Sequence, residues 1–216
     1  MYARLQTVAA RPADEDLAPR IAALVSGHPG FAGLVLLTGD DDVGGLVSLW
    51  LTREDAELAS ERSAAVRGQR PFTLTRDEIY EVDADEPGAA AGEEPAVAFL
   101  GEFDGPLSPA RVEAARYAGT RRLAPVLRTV PGLVRMLMLW HPTERRMAAL
   151  HLATSTAALG AVSEAVMSTT LLPDEDPALL PGPDRIARMR VLAYRGDRVA
   201  PGSTEVGYLG GPGAAR

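Results

Sequence analysis

Residues 130–152, VPGLVRMLMLWHPTERRMAALHL, decide how the rest of the chain is read. Val130-Pro131-Gly132-Leu133 leads into a mainly apolar run from Val134 to Trp140. Pro142 to Arg145 then form a short polar turn, and a second apolar run extends from Met147 to Leu152. Two such runs around a short turn predict a β-hairpin with Met136 opposite His151 and Trp140 opposite Met147. The same order stands earlier in the chain. Gly27-His28-Pro29-Gly30-Phe31 precedes Leu34 to Leu37, and a second run follows from Leu46 to Leu51. Each hairpin is followed by a Thr (Thr52, Thr154) that opens an Ala-rich helical stretch. The matched points lie 101 to 102 residues apart, as from Gly30 to Gly132 or from Trp50 to His151, which is the size of one duplicated unit.

Outward from the hairpins, residues 2–8 and 96–103 read as opening strands, and helices are expected over 17–27 and 109–130. Ser108 followed by Pro109 is an N-cap with Pro at the first helical position, and Pro125 is expected to kink that helix. Closing strands are expected over 78–82 and 186–194. The fold class is therefore α+β: two tandem ferredoxin-like βαββαβ units, residues 1–82 and 96–195, whose sheets cover each other. The acidic, Gly/Pro/Ala-rich stretch 83–95 reads as a linker and residues 196–216 as a tail. The stretch 171–184 reads as a surface loop or a lid.

Composition narrows the chemistry. The 216 residues carry a net charge of −7, which argues against a nucleic-acid partner. No apolar run is long enough to span a membrane and no signal segment opens the chain, so a cytoplasmic protein is expected. Cys, Lys and Asn are all absent, which removes thiolate, disulfide and Schiff-base chemistry and the usual P-loop. No Asp/Glu/His spacing suits a metal, so neither a metal nor a cofactor is expected. Of the three histidines, His28 and His141 stand at element ends and are expected to face solvent. His151 lies within a strand.

Alternation along the strands sorts residues onto faces. Met136, Met138, Trp140, Met147, Ala149 and His151 share a mixed face, whereas Leu137, Leu139, Ala148, Leu150 and Leu152 form an aliphatic one. The first half divides alike: Leu34, Leu36, Ser48 and Trp50 against Val35, Leu37, Val47, Leu49 and Leu51. Trp50 is taken as the counterpart of His151. Tyr2, Arg4 and Gln6 of the opening strand and Tyr80, Arg188 and Arg190 of the closing strands are expected to join the mixed faces. The aliphatic faces are expected to seat the helices, and the mixed faces to wall a cavity between the sheets.

The run Pro29-Gly30-Phe31-x-Gly33, strand, turn, then Leu49-Trp50-Leu51-Thr52-x-Glu54-Asp55-Ala56 resembles the antibiotic-biosynthesis-monooxygenase family of dimeric α/β barrels. Leu123 to Leu133 is similar to that family's first helix and following strand. The likeness covers both halves and implies a barrel completed within one chain. It also implies a cofactor-independent oxygenase, a haem degrader, an isomerase or a protein without known activity. Trp50 falls where the family commonly has Trp. The missing Asn, and the lack of a His in either second helix, depart from the Asn-dependent oxygenase and haem-degrading patterns.

Two functional readings stand side by side. One is an enzyme acting on an aromatic or polyketide-like molecule. His151 would be its acid/base, Arg4 or Arg188 its anion partner, and Trp50, Trp140, Met136, Met138 and Tyr80 its ligand-binding residues. The other is a non-catalytic barrel that binds a small apolar or aromatic molecule, or merely packs its sheets. Either leaves room for a homodimer of the two-unit chain. An open cavity holding a buried polar group would favour the first, and a solidly filled interior the second.

Overall fold

The structure, a computed structural model, describes residues 1–9, 17–39, 43–65 and 74–196. The first half runs β1 (Tyr2–Ala9), α1 (Leu17–Ser26), β2 (Phe31–Thr38), β3 (Val43–Trp50), α2 (Arg53–Ala65) and β4 (Leu74–Pro87). The second runs β5 (Val97–Phe103), α3 (Pro109–Tyr117), a π-helical segment (Ala118–Leu123), α4 (Ala124–Leu127), β6 (Leu133–His141), β7 (Arg146–Ala153), α5 (Thr156–Ser168) and β8 (Arg185–Gly196). Both halves follow the expected βαββαβ order.

Local chemistry explains the repeated joints. Gly30 and Gly132 adopt φ of 69° and 80°, which glycine enters without cost. A Cβ on Gly30 would collide with the Asp55 carboxylate, and one on Gly132 with Ala158 and Thr154, so each turn lies hard against the start of the helix that follows its hairpin. The Gly30 carbonyl accepts from Leu51 N–H (2.8 Å) and the Gly132 carbonyl from Thr154 N–H (2.9 Å). Thr52 caps α2 by accepting from Asp55 N–H. The second cap is Ser155, which accepts from Ala158 N–H, rather than the expected Thr154. Pro125 has no N–H to give the carbonyl four residues back and its ring crowds that carbonyl. The helix expected over 109–130 accordingly widens into the π-helical segment just before Pro125 and ends at Leu127.

The strands close into one barrel in the order β1-β3-β2-β8-β5-β7-β6-β4. Within each half the sheet has ferredoxin-like order, and β2–β8 and β4–β6 seal the two seams. The hairpin register is as the turn predicted, Met136 opposite His151 and Trp140 opposite Met147. The acidic stretch read as a linker divides, because residues 83–87 continue β4 along β6. There Asp85 takes Arg135 in a bidentate ion pair (2.7 and 2.6 Å), and Asp83 and Glu86 hold Arg116 and Arg128. Carboxylates that look like a solvated linker in sequence are strand residues facing arginines of the other half.

The faces are the reverse of the expectation. Leu5, Val35, Leu37, Val47, Leu49, Leu137, Leu139, Leu150 and Leu152 point into the barrel, and the mixed faces lie outward beneath the helices. An eight-stranded barrel is just wide enough for side chains to fill it, and compact aliphatics fill it without voids. Its two mouths are closed by charge. At one, Glu78 accepts from Arg76, Tyr80 and Arg146, and Arg76 also pairs with Glu102. Arg135 and Asp85 occupy the other. Burial would raise the Glu78 carboxyl, but hydrogen bonds from Arg146, Arg76 and Tyr80 bring it down to about 2. Burial, helped by the Glu78 carboxylate, pushes the Tyr80 hydroxyl up to about 12.

Candidate functional site

A cavity of about 750 Å³ lies in the second half, between the outer face of its sheet and its helices. The floor is Met136, Met138, Ala149, His151, Phe99 and Gly101. Leu159, Val162 and Val166 of α5 form one wall, and Leu123, Ala124 and Leu127, with the π-helical residues Gly119 and Thr120, form the other. Pro181, Pro183 and Ile186 complete it from the loop after α5 and the start of β8. That loop is tied down. Glu175, whose side chain is only 1% exposed, pairs with Arg122 at 2.8 Å and accepts from Leu172 N–H. Burial would raise the Glu175 carboxyl, yet Arg122 and the Leu172 amide carry it below the usual range.

The lining is mostly carbon, and its polar groups are largely engaged. Thr120 and Ser163 hydroxyls donate to helix carbonyls at 2.8 and 3.1 Å. Asp83 takes Arg116 in a bidentate pair (2.5 and 2.8 Å). His151 differs. Its ring stacks on Phe99 (5.6 Å between centroids, 17° between planes), and it has no hydrogen-bond partner among the described residues. Burial lowers its pKa to about 4, so the imidazole is neutral at pH 7. A neutral ring can accept at one nitrogen and donate at the other, toward whatever fills the cavity.

The other residues singled out from sequence are dispersed. Met136 and Met138 line this cavity, which lies beneath the helices rather than between the sheets as expected. Trp140 lines a neighbouring hollow of about 450 Å³ with Leu107, Pro109, Val112 and Arg145. Tyr80 is not on the mixed face: it pairs with Ala3, points into the barrel and is fully buried there. Arg188 is exposed on β8, with Phe99 between it and His151. Arg4 belongs to the first half and forms a buried bidentate pair with Asp77 (2.7 Å for both contacts). His151, Arg4 and Arg188 therefore do not converge on one point. His28 is half-buried beside Trp50 and His141 packs edge-on to Tyr80, so neither faces solvent freely. Among the described residues no group of three or more His, Asp or Glu could hold a metal.

The register also corrects the pairing of Trp50 with His151. Leu34 sits opposite Ser48 as Met136 sits opposite His151, and Phe31 opposite Trp50 as Leu133 opposite Ala153. The counterpart of His151 is thus Ser48, and that of Trp50 is Ala153. On the neighbouring strands Arg4 corresponds to Phe99, Gln6 to Gly101 and Asp77 to Ile186. Where the second half has its cavity, the first has the Arg4–Asp77 pair and Trp50. The Trp50 indole N–H donates to Ser48 Oγ (3.0 Å), and its ring meets Phe31 edge-on. Sequence reasoning missed Phe99 and Ile186. The signal was available, since ferredoxin-like order places β5 between β7 and β8.

No family model and no curated protein matches the sequence. Solved structures do. A candidate monooxygenase from Fusobacterium nucleatum subsp. nucleatum ATCC 25586 aligns at TM-score 0.63 and 11% identity over 90% of this chain and 94% of its own. An anthrone oxidase-like protein aligns at TM-score 0.56 and 17% identity over 94% and 96%. A candidate monooxygenase from Lactobacillus acidophilus NCFM aligns at TM-score 0.58 and 8% identity over 90% and 95%. Among the described residues no helix is long and apolar enough to cross a membrane. With both sheets closing one eight-stranded barrel and these alignments running nearly end to end, the chain has the fold of these solved structures, an α/β barrel of two ferredoxin-like halves, here within a single chain.

Proposed function

We propose that this protein binds one aromatic, largely apolar small molecule per chain beneath the helices of its second half, and oxidises it with O2 without a bound cofactor. The observation that carries the reading is the cavity of about 750 Å³ with the His151 ring on its floor, without a hydrogen-bond partner among the described residues. Carbon-lined walls position a planar ring system, and the imidazole addresses one hydroxyl or keto group of it. In the catalytic form of the proposal, His151 takes the proton from a phenol or a keto-activated carbon, leaving an electron-rich anion for O2 to attack. The descriptions of the structural neighbours, monooxygenase and anthrone oxidase-like, lie in the same class of chemistry. We read the two halves as copies of one ancestral unit, of which the second has kept the site.

A second reading, a binding protein without catalysis, is favoured by the His151 pKa of about 4. So weak a base takes a proton only if the anion it creates stays beside it as an ion pair. The two readings separate in one experiment. Hydroxylated tricyclic quinones and anthrones are titrated into the protein and followed by Trp fluorescence and thermal shift. A micromolar ligand at roughly hundredfold excess should stabilise the fold by about 3 kcal/mol. One equivalent should saturate the chain, and His151→Leu should weaken hydroxylated ligands about tenfold or more. Oxygen uptake with the bound ligand supports the oxygenase; binding without uptake supports the carrier. Saturation at two equivalents, or equal losses from Trp50→Ala and His151→Ala, would count against a single second-half site.

A further inference from the structure

Two hollows lie side by side in the second half, and two side chains of α3, Glu113 and Arg116, line both. The larger holds His151. The smaller, of about 450 Å³, is built from Leu107, Pro109, Val112, Trp140 and Arg145. Arg116 stands between them: one side of its guanidinium faces the Trp140 ring at 5.6 Å, and its N–H groups donate to both oxygens of Asp83, a residue of the larger cavity. The side chain is thus held by a carboxylate of β4 and an aromatic ring of β6. A bidentate pair and a stacked face fix a guanidinium more firmly than either would alone.

We propose that Arg116 is a specificity-determining partition: it closes the end of the His151 cavity and so limits the length of the ligand, and the Trp140 hollow is a second subsite that only a displaced or shortened Arg116 opens. This rests on the reading that the His151 cavity holds a ligand. Its chemistry follows from the two linings. The His151 end takes the polar head of the molecule. Leu107, Pro109, Val112 and the Trp140 ring offer the far end apolar contact for an alkyl or further aromatic extension, with no carboxylate but Glu113 to greet it.

The test uses the full chain and 4-n-alkylphenols from butyl to dodecyl, whose hydroxyl suits His151 and whose tail measures available length. Affinity is read by calorimetry, since two of the variants alter the surroundings of Trp140. In the wild type, affinity should rise about fourfold per methylene while the tail still finds apolar wall, and then stop rising at one chain length. Arg116→Ala should move that stop by several methylenes, so that the longest phenols gain on the order of tenfold or more over wild type while the shortest are little changed. In the Arg116→Ala background, Trp140→Ala should take back the gain for long tails alone. Asp83→Asn, which keeps the arginine but weakens its hold, should give a smaller shift in the same direction and reads the same quantity if Arg116→Ala fails to fold. A change of overall stability moves all chain lengths together and cannot produce a change in the stopping point. Identical stopping points in wild type, Arg116→Ala and Asp83→Asn would overturn the partition while leaving the His151 site intact. Failure of every phenol to bind any of the proteins would overturn the ligand reading itself, and the partition with it.

Discussion

The two halves use one scaffold and spend its outer face differently. Across β2, β3, β1 and β4 one outward row reads Leu34, Ser48, Arg4 and Ile79; across β6, β7, β5 and β8 its counterpart reads Met136, His151, Phe99 and Arg188. A neighbouring row replaces Gln6 and Asp77 by Gly101 and Ile186. Among the described residues of the first half, bulk and charge stand at these positions under the helices. Arg4 and Asp77 neutralise each other there, and Trp50 reaches Ser48. In the second, the ion pair is gone, Ala153 stands in place of Trp50, and a cavity remains with His151 on its floor. The difference teaches that the fold does not by itself make a site. Emptying the space requires removing the large side chain and both charges together, because Arg4 left alone would be a buried charge without the carboxylate that neutralises it.

The comparison can be broken most severely at Trp50. It is 1% exposed, so Trp50→Ala should cost about 3–5 kcal/mol in denaturant unfolding, whereas Trp140→Ala, on the half-buried counterpart face, should cost clearly less. Equal costs would mean that the first half is no better filled than the second. The ion pair gives a sharper test. Asp77→Ile alone should cost about 3–5 kcal/mol by leaving the buried Arg4 guanidinium without its carboxylate, while Asp77→Ile with Arg4→Phe, which copies the second half, should recover most of that loss. A double variant as unstable as the single would show that the pair contributes more than mutual neutralisation.

His151 links the comparison to pH. Its pKa is lowered, to about 4 in the fold against about 6.5 when unfolded, so the unfolded chain binds a proton first. Stability should therefore fall as pH drops from about 6.5 to about 4, by up to about 3 kcal/mol, and level off below. His151→Leu should abolish this part of the pH profile, and Ser48→Ala in the first half should leave it in place. A smaller effect is expected where the halves meet. Glu78, held at about 2, stabilises the fold at neutral pH, and that contribution should fade from about pH 4.5 downward and vanish below 2. Because the group is partly exposed, Glu78→Gln should cost only about 1–2 kcal/mol at pH 7, with the gap to wild type narrowing in acid. Denaturant curves at pH 7 and pH 3 measure it.

The order of elements, the duplication-like spacing, the second hairpin's register and the limited inventory of reactive side chains were all legible in the sequence. They rest on periodicity, turn residues and composition, which are local properties. The sorting of residues onto two faces was legible too, including Met136, Met138, Ala149 and His151 on one wall. Which face turned inward was not. Alternation is symmetric about the sheet, and only closure into a narrow eight-stranded barrel decides that compact aliphatics go inside and the irregular face goes under the helices. Nor could sequence pair Arg4 with Asp77, run β4 through the acidic stretch to Asp85, or bring Phe99 beside His151. Each joins residues 50 or more positions apart, through contacts that exist only once the strands are placed side by side.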